Sequence, residues 1–360
     1  MTSIASQLPK RTVFPVLDGL RAVAALSVFG HHIYQQFSEQ WPNRYLESVM
    51  GHLGPWGVSV FFVLSGFCIH WARLMDENRG IAFQRKAYAI RRFYRIYPAF
   101  FFCVILSFVL GKFYSSHLLP QAASNSVFAH LSLLSSFFAE HRVAVNNVLW
   151  SVVVECHFYL LYAAFWRRFD GPRKTMRILA LAWLISILTF GISFSILPTG
   201  PNRVVLQNIF LASWWVWCLG ALLAEWIHQG KSLKVSQRHG RMVWMTCLLL
   251  SLLIGLLPHP IDLQARRFLL PLLVAGFLYF LLQDERQDKF RIPFLMSLGA
   301  MSYSLYLFHP LAIWLGLYVE AEETWPAIGI MLLAGVAMAA AGYRWIEMPF
   351  VALGKRALSR

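Results

Sequence analysis

Leu17–His32, LDGLRAVAALSVFGHH, places an aspartate and an arginine at the front of an apolar run and closes that run with two histidines. With its flanks the run extends over residues 15–36, enough to cross a hydrocarbon core of about 30 Å as a helix. Such a segment is too long for the core of a cleaved leader and lacks a small-residue cleavage site after it, so it reads as a permanent anchor. Ionisable groups near the centre of a spanning helix cost about 2.5–3.5 kcal/mol or more, so they tend to face a polar path.

Working outward, the same apolar pattern recurs. Spans are expected near residues 15–36, 54–72, 96–114, 149–166, 177–196, 207–228, 241–257, 267–283, 294–318 and 327–347. No run alternates in the manner of a barrel strand. The expectation is therefore an all-α, polytopic membrane bundle of about ten transmembrane helices. It forms a single domain over 1–360 with no fused extracellular domain. Composition agrees with the membrane: 58% of residues are hydrophobic and 14% charged, and mean hydropathy is +0.54. The longest connection, 115–148, contains FAHLSLLSSFFAEH, which reads as an interfacial or re-entrant helix.

The net charge of +15 comes from 32 Lys and Arg against 17 Asp and Glu. With the amino terminus inside, 24 of the basic residues fall in inner segments and 6 in outer ones. That asymmetry follows the positive-inside rule, puts both termini in the cytoplasm, and makes membrane lipid rather than nucleic acid the partner of the charge. The five cysteines all lie in apolar segments without a C-x-x-C, and no histidine has a metal-ligand spacing. Neither a disulfide framework nor a metal is indicated.

The intramembrane polar groups singled out are Asp18, Arg21, His31 and His32 in the first helix, Glu155 and His157 in the fourth, His309 in the ninth, and Arg344 and Glu347 at the end of the tenth. Arg21 and His32, eleven residues apart, share a helix face about 16 Å apart along the axis. Asp18 is placed to pair with Arg21. His31 is turned away by about 100° and is left to packing. On the fourth helix Ser151, Glu155 and Tyr159 or Tyr162 form a polar stripe beside Trp150. Ser302, Tyr306 and His309 form another, and the alternative for Tyr303 and Tyr306 is an interfacial belt. In RRFYRIYPAF, Arg92 and Arg95 stand beside Pro98, which is expected to hold back the helix before it. Those arginines are either a lipid-facing basic collar or a phosphate clamp for a cofactor with a long thin arm.

Taken together, these segments resemble the acyltransferase-3 family of integral-membrane O-acyltransferases. The similarity lies in FPVLDGLRAVAALSVFGHH (Phe14–His32), where an arginine precedes a histidine by the family's interval. It continues through GVSVFFVLSGFCI (Gly57–Ile69), RRFYRIYPAF (Arg91–Phe100), NNVLWSVVVECHFYLLY (Asn146–Tyr162), SYSLYLFHP (Ser302–Pro310) and RWIEMPF (Arg344–Phe350). The chain departs from the family at Cys156 and His157, where tryptophan and glutamine are usual, and carries little of its signature over 170–290, where acceptor identity is expected to be set.

The resemblance implies transfer of an acyl group, chiefly acetyl, from cytoplasmic acyl-CoA to a hydroxyl of a carbohydrate-containing acceptor, in a bacterial inner membrane and without a metal. It implies His32 as general base or, alternatively, transient acyl carrier. Arg21 would line the same wall, and Arg92 and Arg95 would hold the CoA phosphates. Glu155 would orient His32, bind acceptor hydroxyls or serve helix packing. Asp18, Trp150, Ser151, Tyr159, Ser302, Tyr303, Tyr306 and His309 would line the substrate path. The rival class is a multi-pass transporter or flippase of a sugar or lipid-linked substrate. It should show inverted repeats, which are not seen, and would turn over no acyl-CoA. The sequence assigns no oligomeric state.

Overall fold

A backbone in lipid must satisfy its own hydrogen bonds, and this chain does so with helices. The computed structural model describes residues 14–113, 119–230, 235–258, 261–319 and 323–359. No strand occurs among them. The helices are α1 (Val16–Phe37), α2 (Arg44–Asn78), α3 (Arg85–Phe113), α4 (Ser124–Leu131), α5 (Ala139–Arg142), α6 (Leu149–Phe165), α7 (Pro172–Ile196) and α8 (Pro201–Asn208). They continue with α9 (Phe210–His228), α10 (Gln237–Leu253), α11 (Ile261–Gln264), α12 (Leu270–Leu282), α13 (Pro293–Ala300), α14 (Ser302–Val319), α15 (Thr324–Ala341) and α16 (Met348–Leu358). Two π-helical turns, Ala265–Leu269 and Gly342–Glu347, interrupt the later helices.

Among the described residues, eight helices are long and apolar enough to span a membrane. The chain is a multi-pass membrane protein. α1 and α14, expected as spans, are not among those eight. Both carry polar groups that lower their hydropathy, and α14 is buried along nearly all of Ser302–Trp314, so its polar side chains are shielded by protein.

Three local expectations are corrected. Pro98 lies inside α3, whose helix begins at Arg85, so Arg92 and Arg95 sit well within a continuous helix. Proline removes one backbone bond, and a buried helix tolerates that loss where its neighbours hold it. The span expected at 294–318 is two helices, α13 and α14, broken by a turn at Met301. The stretch FAHLSLLSSFFAEH is not one helix. α4 ends at Leu131, Leu133 takes a positive φ of 61°, a 3-10 turn covers Ser135–Phe137, and α5 follows. Side-chain bonding explains part of the break: Ser132 Oγ donates back to the Phe128 carbonyl at 2.8 Å, competing with continuation of the helix.

The chain divides into two compact units. The first comprises Met1–Phe83, Arg167–Leu181 and Trp215–Ala300, and the second Gln84–Trp166, Ala182–Trp214 and Met301–Arg360. In the first, α1 packs along α2 and against α13, and α12 lies on α10 and α2. Close approach there depends on glycine. A Cβ at Gly66 would overlap the Trp217 carbonyl of α9, and one at Gly220 would overlap the Val63 carbonyl of α2. Small residues at facing positions let two membrane helices meet backbone to backbone. In the second unit, α14 packs along α15, and α3 contacts α16, α14 and α6.

Candidate functional site

In the first unit, the opening stretch forms α1 and sets its polar groups at two depths. Asp18 Oδ1 accepts from Arg21 Nη1 at 2.5 Å, and Arg21 Nη2 donates to Cys68 Sγ of α2 at 3.0 Å. The guanidinium is thus fixed on two sides near the start of α1. Three turns on, His31 Nδ1 donates to the Met50 carbonyl at 2.8 Å and its ring lies over Gly54, where a Cβ would come within 2.6 Å. His31 is therefore a packing residue of the α1–α2 contact. His32 is buried, 9% exposed, and meets the His31 ring edge-on at a centroid distance of 4.9 Å.

The second unit holds the remaining candidates, arranged along α6. Ser151 Oγ donates to the Val148 carbonyl at 3.0 Å and lies 2.6 Å from the Tyr306 hydroxyl of α14. One turn further, Glu155 Oε1 accepts from Tyr159 O–H at 2.5 Å. Tyr159 in turn lies beneath the guanidinium of Arg92, 6.0 Å from the ring centroid. At the opposite end Arg142 of α5 stacks on Trp150 at 4.2 Å. From Trp150 to Tyr159 the helix rises about 13 Å, so a polar ladder on one helix carries a guanidinium at each end.

Arg95 is held differently. Its Nη1 donates to Glu347 Oε1, while Ser304 Oγ donates to Glu347 Oε2 at 2.8 Å. The pair ties α3 to α14 and to the π-helical turn at Gly342–Glu347. The carboxylate is fully buried, whereas the arginine side chain remains 34% exposed. Tyr303 O–H donates to the Ile96 carbonyl at 2.8 Å, which fastens α14 to α3. Tyr306, engaged with Ser151, is buried. His309 is buried and spends Nδ1 on the Tyr306 carbonyl of its own helix, and Ser302 is buried at the start of α14.

A family model for an acyltransferase domain matches residues 14–344 of the chain. The chain belongs to the acyltransferase-3 family. Among relatives it is similar to the peptidoglycan O-acetyltransferase OatA of Listeria monocytogenes serovar 1/2a, 28% identical over 54% of this chain and 31% of that protein. The acyltransferase MdmB of Streptomyces mycarofaciens is 34% identical over 44% of this chain and 41% of that protein. The O-acetyltransferase OatA of Staphylococcus aureus strain NCTC 8325 is 25% identical over 96% of this chain and 58% of that protein. The chain thus spans less than two thirds of the length of each of these relatives. No solved structure matches it.

Within this acyltransferase-3 chain, two groups, one pairing and one buried pair escaped sequence reasoning. Arg142 counted only as one of the outer charges, because no periodicity links it to Trp150 across the broken 131–148 segment. Cys68 was seen only as one of five cysteines in apolar segments. Glu347 was visible as a buried carboxylate, but its partner stands 252 residues away. The buried pair lies in the first unit. His70 Nε2 lies 2.9 Å from Glu225 Oε1, which also accepts from the Gly171 backbone N–H at 3.0 Å. Beside it Arg73 donates to the Phe169 carbonyl at 3.0 Å. This network pins the 167–171 connection beneath α2 and α9, and a scan of each span for ionisable side chains would have found both of its members.

Proposed function

We propose that the chain is a membrane O-acyltransferase that moves an acyl group, acetyl by preference, from acyl-CoA to a hydroxyl of a carbohydrate-containing acceptor in a bacterial inner membrane. What carries the proposal is the polar ladder of α6 in a chain of this family. A hydroxyl pair and a carboxylate lie at membrane depth, with guanidinium groups at both ends. Buried polar side chains of this kind in a spanning helix mark a substrate path. Two of these relatives are named O-acetyltransferases and one an acyltransferase, and the name of one states peptidoglycan as its substrate, which supports a glycan acceptor here.

The chemistry assigned is a single displacement at the thioester. The acceptor oxygen attacks the thioester carbonyl carbon, the C–O bond forms, and the C–S bond breaks. The hydroxyl proton passes to a ring nitrogen of His32 and then to the departing CoA sulfur. A sugar hydroxyl is a weak nucleophile until a base removes its proton, and histidine titrates in the range where it does both halves of this work. His31, committed to Met50, is the unsuitable member of the doublet. Arg92, on an aromatic face rather than in a carboxylate pair, is assigned to the donor phosphates.

Purified protein in lipid nanodiscs, given acyl-labelled CoA, should release CoA and transfer label to glycan. His32→Ala should lower the rate by at least about a hundredfold, the contribution usual for a general base. Full activity in His32→Ala would refute the assignment. Absence of acyl-CoA turnover alongside movement of a sugar would favour the transporter class.

A further inference from the structure

Buried charges in proteins are paired or hydrogen-bonded, because desolvating an isolated one is costly. Arg142 is a half-buried cation without such a partner among the described residues. Its guanidinium stacks on Trp150 at 4.2 Å and, among the described residues, has neither an ion pair nor a hydrogen bond. Glu140, two residues earlier in α5, is exposed, and side chains two apart on a helix do not face each other. Burial draws Arg142 down to about 10, with Tyr306 acting in the opposite sense. Trp150 supports the cation by its π face but cannot accept a hydrogen bond, so the N–H donors of the guanidinium have no acceptor among the described residues.

The surroundings suit a sugar. Tyr306, near enough to act electrostatically on Arg142, has its hydroxyl joined to that of Ser151 at 2.6 Å. One turn further stands Glu155, and two turns further Tyr159, whose hydroxyl donates to that carboxylate. Hydroxyls, a carboxylate and an indole are groups that bind carbohydrate, and a half-buried guanidinium among them asks for an anion. Arg92 occupies the far end of the same ladder, over Tyr159, so the two ends of α6 each offer one cation.

We propose that Arg142, laid on Trp150, binds an oxyanion carried by the acceptor, which makes the acceptor an acidic glycan bearing a carboxylate or a phosphate. A fork of N–H donors matches either group in bidentate geometry. This rests on the acyl-transfer reading above, and the two are tested separately.

The experiment uses the full chain in nanodiscs with labelled acyl-CoA and three matched oligosaccharide probes: one with a glucuronate residue, one with a sugar phosphate, and one neutral with glucose at that position. Wild type should favour an anionic probe over the neutral one in kcat/KM by about ten- to a hundredfold, the usual worth of a charge-assisted hydrogen bond. The two anionic probes tell carboxylate from phosphate. Arg142→Gln should collapse the preference, chiefly through KM, and Arg142→Lys should restore part of it. Equal use of all three probes, a preference for the neutral one, or acyl-CoA turnover with transfer to neither anionic probe would overturn the proposal. A fall in acyl-CoA affinity of the same size in Arg142→Gln would assign the residue to the donor and overturn it as well. The wild-type comparison needs no variant, so a folding defect in Arg142→Gln leaves it decisive. Loss of acyl-CoA turnover in wild type, by contrast, would sink the acyl-transfer reading itself.

Discussion

Replacing Arg95 and Glu347, singly and together, separates a structural role from a donor-binding one. Glu347 is buried and takes two hydrogen bonds, from Arg95 and Ser304. In Arg95→Met the carboxylate stays in the protein interior with Ser304 as its remaining partner of the two, a loss of about 3–5 kcal/mol for breaking a buried pair. In Glu347→Leu the stranded group is the arginine, whose side chain is 34% exposed. Water takes up part of that charge, so the cost falls to about 2 kcal/mol, with about 1 kcal/mol more for the Ser304 hydroxyl. The double variant Arg95→Met, Glu347→Leu removes both charges and should stand within about 1 kcal/mol of wild type, because apolar replacement of a whole buried pair is often neutral. Equilibrium unfolding of the purified protein in detergent gives the four stabilities. The expected signature is a coupling of at least about 5 kcal/mol, the sum of the two single losses less that of the double variant, with Arg95→Met the weaker single variant. Additive effects within about 0.5 kcal/mol would refute the pairing. Acyl-CoA affinity of the double variant then decides the second question. A tenfold loss with stability restored places Arg95 on the donor phosphates, and retained affinity makes it a strut between α3 and the π-helical turn.

Two further outcomes test the packing. Gly66→Ala or Gly220→Ala should each destabilise by about 1–3 kcal/mol through overpacking of the α2–α9 contact, measured in the same unfolding assay, whereas Gly329→Ala, with open space at its Cβ, should not. An unchanged midpoint in both α2–α9 variants would mean that the helices do not meet there. His130 of α4 is fully buried, its Nδ1 donates to the Ser126 carbonyl at 2.9 Å, and burial draws it down to about 4. Because the folded value lies below the unfolded 6.5, the stabilisation is complete above pH 6.5 and is lost as pH falls toward 4, by at most about 3 kcal/mol. In His130→Phe, stability should depend less on pH across that window, and an unaltered pH profile would show that His130 is accessible to protons in the folded state.

The helical class and most of the spans were legible because a hydrocarbon environment enforces one rule everywhere: long apolar runs, with polarity only where protein covers it. Where that rule meets a competing local one, sequence reasoning errs. Pro98 argued for a helix boundary, yet a proline within α3 loses only one backbone bond, which packing against neighbouring helices offsets. Met301 bears no breaker signal, and still α13 ends there. A Cβ at Gly299 would overlap the Asp18 carbonyl, so the end of α13 is pressed against the start of α1. That contact joins residues far apart in the chain, so no window of sequence contains it.

The same division runs through the candidate site. Partners three or four residues apart could be read from helical spacing: Asp18 with Arg21, and Glu155 with Tyr159, both of which the structure joins. Partners from separate helices could not, and these decide what each group is able to do. Cys68 turns Arg21 from half of a neutral pair into a guanidinium fixed on two sides. Met50 commits His31, which leaves His32 as the candidate base of the doublet. Glu347 occupies one arm of Arg95 while leaving Arg92 on an aromatic face, so two arginines three residues apart, equivalent by sequence, differ in chemistry. If the phosphates of a donor are held by one of them alone, substitution of Arg92 should weaken acyl-CoA binding without the loss of stability that accompanies Arg95→Met. Comparing those two variants side by side therefore tests whether the three-residue spacing marks a clamp or only a shared helix.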